Sequence, residues 1–422
     1  MESPITYTPY QRKQQRKSYY IPLCYAGQIS VRKTAKILNM APVNVWKLKE
    51  RYKQIGDLAF INGHKYSVPH NKKYTRSFCD RLVSLYNSEW PDAPFATFYE
   101  ALKNFYNIDI NYNSLRLILK QYGIKPPRSW STKEKQLHKP RKERPCEGEL
   151  LQLDASTHDW LMNDTYISLH GAIDDATHTV TGLYFCENEC RLGYNEVLRQ
   201  TWIKYGVPEA VYIDRHSSFV KNKRKKNFTL TERLEYSKNE KTHFNDLCKA
   251  LNIEVILALS PQGKGRIERL WQTLQGKLPY IFRYLHIDTL DKANIFISQW
   301  LDDFNSRFSI SASSPVYKFT PLPKHFDLNY RLSVKFTCRT NSRGHFLFHD
   351  CEFILDAPKK DFRHFELCLS ESFGIKAYMS GQWYNVRLAE NILQDTISDK
   401  MPGVEKSLIA RYLLNDLHSD YA

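Results

Sequence analysis

The stretch at residues 260–275 (SPQGKGRIERLWQTLQ) constrains the fold more than any other part of the chain. It follows an apolar run at residues 253–259, which predicts a buried strand that ends at Ser260-Pro261. Two glycines then predict a loop, and from about Gly265 apolar residues recur at helical spacing. Glu268 therefore lies near the start of a helix, where the helix dipole favours a carboxylate.

Positive charge surrounds Glu268 in the sequence, at Lys264, Arg266 and Arg269. This pattern is typical of a surface helix whose glutamate pairs with a neighbouring arginine. A carboxylate on a rigid helix behind a basic loop also suits a metal ion that must meet a polyanion. The stretch alone leaves both interpretations open.

Residues 148–310 alternate between strand and helix patterns. Strands are predicted at residues 149–156, 167–173, 180–185, 210–213 and 253–259, and helices at 192–205, 242–251 and from Gly265. This order predicts a mixed five-stranded sheet with helices packed on it. Asp154 lies in the first predicted strand and Asp214 ends the fourth. Asp174 and Asp175 fall at a turn, and we expect them to be structural.

Three motifs in this order resemble retroviral integrases and their bacterial transposase relatives. Pro261-Gln262-x-x-Gly265-x-x-Glu268 is similar to the third-carboxylate motif of that superfamily. The block at 148–160 (GELLQLDASTHDW), the DDAT at 174–177 and the longer form of the third motif resemble a group of insertion-sequence transposases often filed as ISNCY. The second motif, DRHSSF at 214–219, departs from the commoner DNGSxF and is close to a DKHS variant of this group. The resemblance covers roughly residues 25–310.

The resemblance implies a ribonuclease-H-like (integrase) core with a DDE catalytic triad of Asp154, Asp214 and Glu268. These carboxylates would also be the ligands of two Mg²⁺ ions, with Mn²⁺ as a substitute. Two ions about 4 Å apart can activate a water or a 3′-hydroxyl and stabilise the leaving oxygen. Asp154 would bridge both ions, and the other two carboxylates would each hold one. Lys264 and Arg266 would hold the terminal phosphates of the DNA end.

The N-terminal part, residues 1–66, has the spacing of a helix-turn-helix domain. A polar and basic lead-in, partly helical or frayed, precedes a helix over residues 31–38 that Ser30 caps. Asn39 makes the turn, and Pro42 begins a second helix that reaches about residue 55. That helix would enter the DNA major groove through Asn44, Lys47 and Arg51. The alternative is a helical hairpin with a solvated basic face.

Two further segments extend the basic N-terminal half. Helices predicted at about 75–86, 95–105 and 112–122 form a second helix-turn-helix-like domain over residues 67–124. The linker at 125–147 is basic and rich in proline, which keeps it extended. We expect it to follow DNA phosphates rather than to be a merely solvated charge run. The residues expected to contact phosphate there are Lys139, Arg141, Lys142 and Arg144.

Beyond the core motifs, three segments complete the domain plan. The interval between Asp214 and Glu268 contains a basic insertion at residues 217–241, either a DNA-contacting loop or a disordered one. Short alternating runs at 330–392 predict a small β-barrel. Residues 393–422 predict a helical tail that docks on another subunit.

Composition restricts the classes of partner. The net charge of +16 and the pI of 9.2 indicate nucleic acid or an acidic membrane surface. No apolar run approaches the roughly 18 residues of a membrane helix, and the N-terminus lacks a signal-peptide core. The nine cysteines are odd in number and scattered, which argues against disulfides and structural zinc and favours a reducing cytosol.

The sequence thus predicts a multidomain transposase that binds the terminal inverted repeats of an element, cuts their 3′ ends and joins them to target DNA. We expect a homo-oligomer, at least a dimer in the synaptic complex, in the bacterial cytoplasm at the nucleoid. A non-catalytic DNA-binding regulator would explain the helix-turn-helix and the charge, but not three ordered carboxylate motifs. A ribonuclease-H-like nuclease would not need the predicted N-terminal DNA-binding domains. A retroelement-type integrase remains close in mechanism, although no zinc site is visible.

Overall fold

The computed structural model describes residues 9–60, 74–127, 143–214, 243–257, 265–349, 351–358 and 363–389. The chain divides into two compact units, residues 1–82 and 83–422, and the boundary lies inside helix α4 (Arg76–Glu89). The predicted basic insertion, most of the basic linker and the predicted tail helix lie outside the described residues. Within the described part, no helix is long and apolar enough to cross a membrane.

The first unit contains helices α1 (Pro9–Tyr25), α2 (Val31–Leu38) and α3 (Pro42–Ile55). The Ser30 hydroxyl accepts a hydrogen bond from the Lys33 N–H, and Asn39 adopts the left-handed conformation with φ 48°. The last two helices therefore begin and end where their capping residues predicted.

The lead-in was under-predicted, because α1 is one continuous helix of 17 residues. Ile21 and Cys24 of α1 are buried against Ala35 and Val45 of the next two helices. The basic residues of α1 gave no apolar period in its first half, so the helix owes its place to this packing.

The second unit is built on a five-stranded mixed sheet. Its strands are β1 (Leu151–His158), β2 (Ile167–Asp174), β3 (Val180–Cys186), β4 (Ala210–Ile213) and β5 (Glu254–Leu257). The order across the sheet is β3-β2-β1-β4-β5; β1, β2 and β3 are antiparallel neighbours, while β4 runs parallel to β1 and β5 parallel to β4. The mixed five-stranded sheet predicted from the order of the elements is therefore present.

Helices cover both faces of this sheet. They are α7 (Arg191–Lys204), α8 (His243–Ala250), α9 (Gly265–Gln275), α10 (Leu278–Tyr284) and α11 (Leu290–Phe308). On one face, Leu151 and Leu153 pack with α7 and α8. On the other face, apolar residues of β2 and β3 pack with α9, α10 and α11. The sheet is thus buried on both sides, as a central parallel strand pair requires.

The helices α5 (Phe95–Tyr106) and α6 (Tyr112–Gln121) belong to the same unit as the sheet. Trp90 stacks on Tyr284 of α10 with ring centroids 4.9 Å apart, and the Thr97 hydroxyl donates to the Gly276 carbonyl at 2.6 Å. The second helical segment is therefore packed directly on the helices that follow Glu268.

The C-terminal part begins with the short helix α12 (Leu328–Leu332) and continues as a six-stranded antiparallel sheet. The strands are β6 (Val334–Arg339), β7 (His345–Phe348), β8 (Cys351–Leu355), β9 (His364–Ser370), β10 (Gly374–Met379) and β11 (Gln382–Leu388). The sheet curls until its two edge strands meet, with Phe336 of β6 and Phe348 of β7 only 4.9 Å apart between ring centroids. It forms the nearly closed small barrel that the alternating runs predicted, with β10 as an additional strand.

Candidate active site

Strand β1 and helix α9 are joined through polar side chains of β1. Three hydrogen bonds connect them, from Ile267 N–H to Gln152 Oε1 (3.2 Å), from Trp271 Nε1 to Asp154 Oδ2 (2.9 Å) and from Gln275 Nε2 to Ser156 Oγ (3.1 Å). Two residues of a strand advance about 6.7 Å and four residues of a helix about 6.0 Å, so the two repeats stay in step over this length. Asp154 is therefore fixed against the helix that carries Glu268.

Glu268 lies on the flank of α9 that faces β1. The stripe of Ile267, Leu270 and Leu274 is buried against β2 and β3, whereas Glu268 is exposed. Gln275 follows Glu268 by seven residues, nearly two turns at about 3.6 residues per turn, so the two side chains leave the helix in almost the same direction. Because Gln275 bonds to β1, Glu268 also projects toward the β1 side of the sheet.

Asp214 follows β4 directly, in the strand next to β1. The parallel register pairs Leu151 with Val211 and Gln152 with Tyr212. Continued by two residues, this register brings Asp154 opposite Asp214. Both carboxylates are half-buried. The structure thus brings together two of the three predicted catalytic residues on neighbouring strands, with the third on the adjoining helix flank.

Tyr194, in helix α7, lies near enough to Asp154 and Asp214 for their charges to affect its pKa. Its phenol is 1% exposed and donates a hydrogen bond to Glu189 Oε1 at 2.7 Å. Burial raises the pKa of Tyr194 well above its usual value, and the negative charges of Glu189, Asp154 and Asp214 raise it further. The phenol therefore stays protonated at neutral pH and can donate its hydrogen bond to Glu189.

The three carboxylates do not form a closed metal cage in this structure. Among the residues that the structure describes, no three His, Cys, Asp or Glu side chains lie close enough together to hold a metal ion. Asp154 and Asp214 supply hard oxygen donors of the kind that Mg²⁺ prefers. Glu268 would have to approach them to complete the set.

Asp174 and Asp175 are saturated with donors from the surrounding chain. Asp174 accepts hydrogen bonds from the N–H groups of Gly148, Ala176 and Thr177 and from the Thr177 hydroxyl, at 2.8–3.1 Å. Burial nevertheless raises the pKa of Asp174, because the hydrogen bonds only partly offset the desolvation of its charge. This arrangement agrees with the structural role expected for the Asp-Asp pair.

Asp175 anchors three separate segments. Its carboxylate accepts hydrogen bonds from the Arg144 N–H (2.9 Å) and from Gln152 Nε2 (2.9 Å), and it lies 3.4 Å from Arg266 Nε. The side chain of Asp175 is 1% exposed. It therefore ties the end of the linker to β1 and to the first turn of α9.

Arg266 lies on the flank of α9 opposite Glu268 and pairs with two carboxylates. Its side chain is 7% exposed and pairs with Asp175 and with Glu143, the latter at 2.5 Å. Two residues of a helix rotate by about 200°, so Arg266 and Glu268 lie on opposite flanks of α9. The predicted phosphate contact of Arg266 is untested, and this geometry does not favour it, because a phosphate would have to displace two carboxylates.

The other predicted DNA-contacting residues have varied positions. Asn44, Lys47 and Arg51 are exposed along α3, as a recognition helix requires. Arg144 is 42% exposed and pairs with Glu149 at 3.1 Å. The remaining predicted contacts lie outside the described residues: Lys139, Arg141, Lys142 and Lys264. All of these DNA contacts stay predictions.

Trp271 joins the candidate site although its apolar spacing in α9 predicts only packing. Its indole N–H donates to Asp154. A buried tryptophan usually finds a partner for that N–H. The sequence contains one indication of this contact. Trp271 follows Ile267 by one helical turn, and Gln152 and Asp154 alternate on β1 at a matching distance.

The chain is similar to bacterial transposases. It is 28% identical over 349 residues to the transposase for insertion sequence IS1202 of Streptococcus pneumoniae, a match that covers 74% of this chain and 72% of that protein. It is 27% identical over 288 residues to the putative transposase y4bF of Sinorhizobium fredii (strain NBRC 101917 / NGR234), covering 68% of this chain and 60% of that protein.

Among solved structures, the HTLV-2 integrase catalytic core domain in complex with magnesium aligns with 40% of this chain and 94% of its own, with 16% identity and a TM-score of 0.29. No protein-family model matches the chain. The relatives extend over most of the chain and confirm the resemblance to insertion-sequence transposases that the three motifs indicated.

Proposed function

We propose that this protein is a DDE transposase that binds the terminal inverted repeats of an insertion sequence, cleaves the 3′ ends and joins them to target DNA. The observation that carries the proposal is the placement of Asp154 by Trp271 beside Asp214, under the flank of α9 that bears Glu268. The three carboxylates lie in or directly after three different elements, β1, β4 and α9, so each is positioned separately from the other two.

The chain's own groups divide the work of such a site. The indole N–H of Trp271 occupies one oxygen of Asp154 and orients the carboxylate. The exposed position of Glu268 leaves it accessible to a polyanionic substrate and its counterions. Two Mg²⁺ ions held by Asp154, Asp214 and Glu268, or Mn²⁺ in their place, would supply charge stabilisation for an in-line displacement at phosphorus.

DNA recognition is assigned to the N-terminal helices. The exposed side chains of Asn44, Lys47 and Arg51 lie along α3, whose start is fixed by Pro42. The net charge of +16 supports a polyanionic partner. A synaptic complex of two ends requires at least two copies of the chain, and the expected setting is the bacterial cytoplasm at the nucleoid.

The test is strand transfer with a labelled duplex that carries a candidate element end, plasmid target and Mg²⁺. Wild type would be compared with Glu268→Gln, which removes one charge at the site. Glu254→Gln is the matched control, because Glu254 is also exposed but begins β5, at the opposite end of the sheet from Asp214.

We expect wild type and Glu254→Gln to join the end to plasmid, while Glu268→Gln binds the end and does not join it. Equal strand transfer by Glu268→Gln and wild type would remove Glu268 from the site. Tight binding by all three proteins without cutting or joining would favour the non-catalytic regulator instead.

A further inference from the structure

A cluster of two cysteines and one histidine lies at the start of α7, apart from the three carboxylates of the candidate site. Cys186 ends β3 and is 4% exposed, and Cys190 is the half-buried N-cap residue of α7. The Cys186 thiol hydrogen-bonds to the Cys190 sulfur. The two side chains are therefore linked across the three residues 187–189.

His170 supports this pair from the neighbouring strand. The ring is fully buried, its Nε2 accepts the Cys190 N–H at 3.0 Å, and its Nδ1 lies 3.3 Å from the Tyr184 carbonyl. In this arrangement Nε2 carries no proton and Nδ1 is the donor. Because Nε2 is occupied by a backbone N–H, this nitrogen is not available to a metal ion.

The position of the ring depends on a glycine in the first turn of α7. A Cβ added at Gly193 would lie 2.4 Å from His170 Nδ1. Any larger residue there would push the imidazole away from Cys190. Tyr194 closes the other side of the ring, with centroids 4.8 Å apart in an edge-to-face arrangement.

The Cys190 sulfur lies in an environment that favours the thiolate. The hydrogen bond from Cys186 lowers the pKa of the Cys190 thiol, although burial opposes this shift. The start of a helix also favours negative charge. A thiolate, rather than a thiol, is the form that reacts with electrophiles.

Cys248 and Cys338 have the opposite setting. Burial raises the pKa of the Cys248 thiol to about 12 and that of the Cys338 thiol to about 11. All nine cysteines are free in the structure. Reactivity should therefore concentrate at the Cys186–Cys190 pair.

We propose that Cys190 and Cys186 form a peroxide-reactive dithiol, with Cys190 as the attacking residue and Cys186 as the resolving residue. The Cys190 thiolate attacks one oxygen of a hydroperoxide, the O–O bond breaks, and the other oxygen leaves as water or alcohol after taking a proton. The Cys186 sulfur then attacks the sulfenic acid, forms the S–S bond and releases water. Two thiols and one hydroperoxide thus give one disulfide, one alcohol or water and one water.

The pair is placed where oxidation can affect how the barrel docks. Cys190 packs with Leu192 against the apolar core of the C-terminal barrel. Tyr184, whose carbonyl faces His170, donates its hydroxyl to Glu371 of the barrel at 2.9 Å. Disulfide formation removes the thiolate beside His170 and draws the N-cap residue of α7 toward the end of β3.

The experiment treats the reduced full-length protein with hydrogen peroxide at an amount equal to the protein. Remaining thiols are blocked with iodoacetamide, and peptides are analysed by mass spectrometry. We expect two of the nine cysteines, Cys186 and Cys190, to lose their thiols together as a disulfide that dithiothreitol reverses. Cys186→Ser should stop at a Cys190 sulfenic acid that dimedone traps, and Cys190→Ser should consume peroxide no faster than free cysteine does.

Cys248→Ser is the matched control, because it removes a buried thiol of raised pKa and should leave the reaction unchanged. A measurement on wild type alone guards against misfolded variants. The rate of iodoacetamide labelling at each cysteine, at mildly acidic pH, should be at least about 10-fold higher at Cys190 than at any other cysteine. Uniform labelling, or disulfide formation that does not involve Cys190, would overturn the proposal.

Discussion

Two pairs of acidic residues lie in the same sheet and are held in opposite ways. Asp174 and Asp175 are fully buried, and hydrogen-bond donors from several segments surround their oxygens. Asp154 and Asp214 are half-buried on neighbouring strands, and an indole N–H is the donor that α9 gives to Asp154. A buried carboxylate surrounded by donors of the chain stabilises the fold, whereas a half-buried carboxylate can be reached by a ligand from solvent.

The largest expected effect is a loss of strand transfer when a residue of the half-buried pair is changed. Asp154→Asn should lower strand transfer by about 1000-fold, because the loss of one metal ligand removes several kcal/mol of transition-state stabilisation. Its free energy of unfolding should change little. The measurements are single-turnover joining rates and urea denaturation of the same preparations.

Asp174→Asn is the counterpart on the structural side of the comparison. An amide can replace only part of the acceptor capacity of Asp174, so the free energy of unfolding should fall by about 2 kcal/mol. The joining rate of the remaining folded protein should equal that of wild type. If Asp174→Asn abolished joining without loss of stability, the division between the two pairs would be wrong.

A loss of stability is also expected when the buried flank of α9 is changed. Arg266→Gln leaves Asp175 and Glu143 without their cation, and we expect a loss of about 3 kcal/mol in unfolding free energy. Arg269→Gln, on the same helix but exposed, should change stability by less than about 0.5 kcal/mol. If Arg266 instead bound a DNA phosphate, Arg266→Gln would keep its stability. Its DNA affinity would depend less steeply on salt, by about one unit in the slope of log affinity against log salt concentration.

A smaller effect should follow from Trp271→Phe, which keeps the aromatic packing but removes the donor to Asp154. We expect about a 10-fold lower joining rate, in the range found for residues that orient metal ligands. Trp202→Phe is a matched control, because within the described residues the buried Trp202 Nε1 has no hydrogen-bond partner. That variant should keep its activity. Equal rates for Trp271→Phe and wild type would show that the indole N–H does not orient Asp154.

The smallest effect is a pH dependence at a third kind of acid, one that is half-buried beside an arginine. Burial raises the pKa of Glu196 from 4.5 to about 7, although Arg199, at 3.4 Å, lowers it in part. Because the folded-state pKa is raised, the stabilising contribution is complete below about 4.5 and is lost as the pH rises through about 7. Glu196→Gln, which mimics the protonated acid, should flatten this decline in thermal denaturation, and Glu254→Gln should not.

Much of the local structure was predictable from residue order. Ser30, Asn39 and Pro42 set the ends of two helices through capping, a left-handed turn and a fixed φ, all of which act within a few residues. The alternation of β1 placed Gln152 and Asp154 on one face before any contact was known. The carboxylate positions also followed from the motifs and from the strand order.

The partners of polar side chains required the folded chain. Arg266 and Glu268 are two residues apart and look equivalent in the sequence. The helix rotation places them on opposite flanks, so Arg266 pairs with the buried Asp175 while Glu268 is exposed. Cys186, Cys190 and His170 became a cluster only when β2 and β3 paired, because His170 is distant from both cysteines in sequence.

The same physical division explains both outcomes. Periodicity and capping are local, so the residues themselves determined most helices, most strands and the candidate carboxylates, but not the length of α1. Hydrogen bonds between β1 and α9 join residues more than a hundred positions apart, and their formation depends on how sheet and helix repeats match in three dimensions. Packing alone therefore decided that Trp271 holds Asp154 and that Asp175 holds Arg266.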